Sequence, residues 1–88
     1  MRRVEVVYRG RVQGVGFRAT ARAAAASFSV AGWVRNEPDG SVRLIAEGEP
    51  DDVDRFMAAI SHRLGRYIES RHDHEMPPLG ERGFEIRY

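Results

Sequence analysis

The chain has 88 residues, no cysteine and no lysine, and its fourteen arginines face thirteen acidic residues for a net charge of +1. A chain this short makes one domain, residues 1–88, and buries only roughly 60–65 % of its unfolded surface. Disulfide and thiol chemistry are excluded, as are a Schiff base and a Walker-type lysine; the balanced charge argues against a dedicated nucleic-acid binder.

No stretch approaches the ~18 apolar residues of a membrane span, and no leader pattern precedes the first strand. No membrane partner is therefore expected, and a reducing cytoplasm is the expected setting.

Val4, Val6 and Tyr8 alternate with Glu5, Val7 and Arg9, the period of a strand. The stretch Gly10-Arg11-Val12-Gln13-Gly14-Val15-Gly16-Phe17-Arg18 follows. From Phe17 to about Phe28 an alanine-rich run reads as helix, with Ala21, Ala24, Ala25 and Phe28 on one face. Val30 to Asn36 reads as a second strand. Glu37-Pro38-Asp39-Gly40 is a turn signal, because proline presets φ and Asp-Gly suits positive φ. Val42 to Glu47 alternates again, so the second and third strands form a hairpin.

Gly48-Glu49-Pro50 ends that strand, and Asp51 or Asp52 is the expected cap of a second helix. Its buried stripe is Val53, Phe56, Met57, Ile60 and Leu64, and Gly65 closes it. Ile68 to Glu75 reads as a charged edge strand. After the loop Met76 to Gly80, the chain ends in a strand from Phe84 to Tyr88. The order β-α-β-β-α-β plus a C-terminal strand is an α+β, ferredoxin-like split βαβ sandwich: one antiparallel sheet with two helices on one face.

Three glycines between Gly10 and Gly16 let the backbone turn tightly, and successive N–H groups in such a turn make a concave anion site. The positive end of the following helix strengthens it, and Arg18 supplies a guanidinium that grips an oxyanion bidentately. The same residues also suit a plain connection from strand to helix. Gly14-Val15-Gly16-Phe17-Arg18-Ala19 fits a dinucleotide fingerprint too, with Glu37 downstream. That reading fails because Glu37 sits in a tight hairpin turn where a doubly wound fold needs a crossover. Asn36, just before the turn, is either a turn asparagine or a functional amide. A crossover from the first strand returns the second parallel to it, so Asn36 and the glycine loop share one end of the sheet.

The remaining features carry less. His62, His72 and His74 lack the converging third and fourth ligands of a metal site, so none is expected. Arg2, Arg3, Arg9 and Arg11 read as a solvated face, and Trp33, Phe17, Phe28 and Phe56 as core. An RNA-recognition motif shares this strand order, but the third strand offers no aromatic side chain for stacking.

With both motifs read, the chain resembles the acylphosphatases. The stretch Gly10 to Arg18 is similar to the family's phosphate-loop signature, and Gly32-Trp33-Val34-Arg35-Asn36 with Asp39-Gly40-Ser41-Val42 to its second signature. The resemblance implies hydrolysis of acyl phosphates to a carboxylate and inorganic phosphate, without metal or other cofactor. It implies that Arg18 and the loop residues Gly14, Val15, Gly16 and Phe17 bind the phosphoryl oxygens, through main-chain N–H groups from about Val15 to Arg18, and that Asn36 orients the attacking water. The implied partner is a small acyl phosphate, and a monomer is expected. A non-catalytic anion-binding or interaction module on the same fold is the alternative. Three departures stand out: Ser29 where the family has glycine, no Gly-Pro-Pro-Gly type of turn within Ser61 to Arg66, and a more polar strand from Ile68 to Glu75.

Overall fold

The computed structural model describes residues 1–88. Its elements are β1 (Arg2–Gly10), α1 (Phe17–Ala25), β2 (Val30–Asn36), β3 (Val42–Gly48), α2 (Pro50–Leu64), a 3₁₀ turn (Gly65–Tyr67), β4 (Ile68–Met76) and β5 (Phe84–Arg87). They make one five-stranded sheet in the order β4-β1-β3-β2-β5. The four inner and left-hand strands pair antiparallel, as expected from the hairpin pattern. The fifth differs: β5 joins β2 in parallel, which makes the sheet mixed.

One face of the sheet carries Val4, Val6 and Tyr8 of β1, Val34 of β2, and Val42, Leu44 and Ala46 of β3, all buried. Against it lie Phe17, Ala21, Ala24 and Ala25 of α1 and the whole expected stripe of α2, Val53, Phe56, Met57, Ile60 and Leu64. The alanine face lets α1 sit close over β2 and β5, while the bulkier stripe of α2 fills the space over β3.

Helix ends differ from the sequence reading in ways that have simple causes. Helix α1 stops at Ala25 because Ala26 to Ser29 form a turn, closed by bonds from Ser27 N to Ala24 O and from Phe28 N to Ala25 O. No residue other than glycine has positive φ, so Ser29 bears no left-handed strain. Helix α2 begins at Pro50, where a missing N–H is harmless. Asp51 and Asp52 therefore lie in its first turn, facing the positive end of the helix rather than capping it. No helix is long and apolar enough to cross a membrane.

Strands β4 and β5 occupy opposite edges, so the segment Pro77 to Gly83 must cross the sheet on the face away from the helices. The buried carboxylate of Glu47 holds this strap. It accepts hydrogen bonds from the N–H groups of Leu79 (2.9 Å) and Gly80 (2.7 Å) and pairs with Arg3 at 3.2 Å. Arg3 also reaches Glu81 at 3.0 Å. Arg3 is thus no part of a solvated basic face; it is 4 % exposed. Trp33 is buried, as expected, but not beneath the helices. It lies on this second face, outside the helix-covered core, with the guanidinium groups of Arg35 and Arg87 at 4.9 and 4.8 Å from its ring. Phe17 and Phe56 are core, as expected, and Phe28 packs against its border.

Candidate active site

Tyr8, Val42 and Asn36 form one row across β1, β3 and β2. Strands β1 and β2 both run antiparallel to β3, so the loop after β1 and the end of β2 meet at the same end of the sheet. Two buried side chains fix that loop from below. Val12 is fully buried, and the ring of Phe17 packs on that of Tyr8 with centroids 4.9 Å apart. Between these anchors the exposed segment arches outward. Gly14 and Gly16 adopt φ of 78° and 79°, while Val15 and Phe17 keep negative φ. That alternation turns successive N–H groups toward one concave side.

Those N–H groups are free. No main-chain N–H from Val15 through Arg18 donates to a protein acceptor. Gly16 caps α1 without a side-chain bond, and no acidic residue lies in the helix's first turn, so its positive end is uncompensated. Arg18 has no carboxylate partner within ion-pairing distance; its guanidinium lies 4.9 Å from the ring centroid of Tyr88. Asn36 faces the loop, and its Oδ1 is buried with no hydrogen-bond partner.

Gly14, Gly16, Phe17, Arg18 and Asn36 line one cavity of ≈ 200 Å³. Val15 does not line it, but its N–H belongs to the loop. No Asp or Glu side chain lines the cavity. The field there is set by the guanidinium, the helix end and the free amides, all of which favour an anion. The histidines are elsewhere: His72 and His74 lie on β4 beside Val7 and Glu5, and no group of three or more His, Asp or Glu gathers to hold a metal ion.

Two further contributions escape sequence reading. Ile86 and Tyr88 border the cavity on the β5 side, which only the parallel pairing of β5 with β2 brings about. Gln13 ties the loop to the β2–β3 turn, donating from Nε2 to the carbonyl oxygens of Glu37 (2.8 Å) and Ser41 (2.9 Å). Its place directly before Gly14 was visible in the sequence, but not its partners 24 and 28 residues away.

Comparison with known proteins bears on the chain as a whole. The acylphosphatase family model matches residues 4–86. The chain is 39 % identical to an acylphosphatase of Oceanobacillus iheyensis, with 100 % of each chain covered. It is 42 % identical to one of Methanospirillum hungatei, covering 99 % of this chain and 98 % of that one. The crystal structure of acylphosphatase from Bacillus subtilis superposes with a TM-score of 0.90 at 32 % identity, over 100 % of both chains.

Proposed function

The chain belongs to the acylphosphatase family of hydrolases, and we propose that it cleaves acyl phosphates with Arg18 and the loop amides as the phosphate cradle and Asn36 as the guide of the attacking water. Residues 1–88 act in this reading as a single, monomeric domain with no cofactor. The observation that carries it is the pairing of two unsatisfied sets across one small cavity: free N–H donors on the loop and a buried, unpartnered amide oxygen on Asn36.

Phosphoryl transfer asks mainly for positioning and for stabilisation of charge on the equatorial oxygens. Arg18 and the N–H groups of Val15, Gly16, Phe17 and Arg18 hold those oxygens. Asn36 Oδ1 accepts a hydrogen bond from a water O–H and so turns the water's lone pair toward phosphorus. The new P–O bond forms as the bond to the acyl oxygen breaks, and that electron pair leaves on the carboxylate. A carboxylic acid has a pKa of about 4, so the leaving group departs without a general acid. This accounts for a cavity with no histidine, aspartate or glutamate side chain in its wall.

The test is hydrolysis of benzoyl phosphate in the presence of EDTA. Arg18→Ala should weaken both substrate binding and kcat, and Asn36→Ala should lower kcat by about 10²–10³ with little change in phosphate affinity. Full turnover by either variant would remove that residue from the mechanism. Phosphate binding without turnover by the unmodified chain would favour the non-catalytic anion module instead.

A further inference from the structure

We propose that Gln13 is a positioning residue for the hydrolysis, a brace that sets the distance between the phosphate cradle and the water-guiding Asn36. The inference rests on the role given to Asn36 above. It starts from what Asn36 lacks. Its amide oxygen has no partner, so no bond to that atom aims it. The orientation of the side chain then follows from the main chain at the end of β2 and from the turn that begins with Glu37.

That turn is held from several sides. Glu37 N–H donates to Ser41 O at 2.9 Å, and Glu37 O accepts from Gly40 N–H at 3.1 Å. The Glu37 carboxylate accepts from Arg35 Nη2 at 2.9 Å on the far face of the sheet. All of these bonds stay within the hairpin. Only Gln13 connects Glu37 to the loop: its Nε2 donates to Glu37 O and to Ser41 O, so both amide hydrogens are used. With two carbonyls as partners, only the NH₂ end of the amide fits that position. Gln13 is followed by Gly14, the first residue of the cradle in the left-handed region. One side chain therefore spans from the segment that holds phosphorus to the residue beside the one that aims the water. A displacement of about 1 Å between such groups costs on the order of a hundredfold in rate.

Gln13→Leu removes the donor at similar size, and Gln13→Glu replaces it with a carboxylate that repels both carbonyls. With folding checked by circular dichroism, Gln13→Leu should lower kcat on benzoyl phosphate about tenfold or more, while the inhibition constant of inorganic phosphate moves less than about threefold. The combined variant Gln13→Leu/Asn36→Ala should be no slower than Asn36→Ala alone, because a brace has nothing left to aim. Gln13→Glu should regain activity relative to its own value at neutral pH, each divided by that of the unmodified chain at the same pH, as pH falls into the carboxyl range at or above about 4.3, where the facing carbonyls favour the protonated form and the carboxyl becomes a donor again. The acid recovery is a readout that remains if Gln13→Leu fails to fold. Undiminished kcat in Gln13→Leu, multiplicative losses in the combined variant, or no acid recovery in Gln13→Glu would overturn the proposal. If Asn36→Ala itself kept full kcat, the fault would lie instead with the role given to Asn36.

Discussion

Replacing Glu47 by glutamine tests how the strap is held. The Glu47 side chain is 0 % exposed and its carboxylate satisfies two main-chain N–H groups and the buried Arg3. The Leu79 N–H does most to hold the carboxyl below its ordinary range, against the burial that pushes it up; the Gly80 N–H and Arg3 add to the lowering. Glutamine keeps the volume and one acceptor oxygen, but turns an NH₂ toward one of the strap donors and takes the charge away from Arg3. Breaking a buried pair from one side costs about 3–5 kcal/mol. Arg3 retains Glu81, so about 2–3 kcal/mol is expected. A domain of this length has about 4–13 kcal/mol in all, and Tm should fall by about 10–20 °C. Thermal and urea unfolding measure this directly, with faster exchange of the Leu79 and Gly80 amide protons as the local sign. The pH dependence has a definite sign. A lowered folded-state pKa contributes stability above the unfolded carboxyl value of 4.5, and that contribution is lost as pH falls through the lowered value. Glu47→Gln should therefore lose less stability than the unmodified chain on acidification. A drop in Tm under about 4 °C would refute the view that this carboxylate pins the strap.

Further outcomes follow from the same structure. Gly16→Ala meets no atom within 4 Å of the added methyl, yet must hold φ near 79°; it should lose about 1–2 kcal/mol and bind phosphate more weakly, checked by urea unfolding and titration with phosphate. Inorganic phosphate at a hundred times its Kd should stabilise the unmodified chain by about 2.7 kcal/mol, seen as a raised Tm, and should do far less for Arg18→Ala. Burial pushes the Tyr8 phenol above its ordinary value of 10.0, so its contribution is whole below that value and is lost as pH rises beyond it. Tyr8→Phe should accordingly flatten the loss of stability between about pH 10 and 12, measured by urea unfolding across that range.

Local pattern carried much of the architecture. The β2 limits Val30 and Asn36 and the α2 stripe stand where periodicity put them, because a strand with one covered face and a helix with one buried stripe leave that record in sequence. The glycine loop was legible for a similar reason: left-handed φ at positions 14 and 16 requires the residue found there. Helix ends were less legible. Several side chains and main-chain bonds compete within one turn, so Ala26 to Phe28 left α1 and Asp51 missed the cap of α2.

What the sequence determined by itself, then, was which segments become strands and helices and which stretch turns on left-handed glycines, since each depends on neighbours a few residues away. Tertiary structure alone decided which distant groups meet. Val34 and Trp33 both alternate correctly, but only the positions of the helices and the strap say which face is core. Arg3 looked like a surface arginine until the crossing strap buried it with Glu47. Gln13 finds its carbonyls across the sheet end, and Tyr88 reaches Arg18 because β5 pairs in parallel at the edge. Such contacts depend on strand order and connection path, and no local period encodes either.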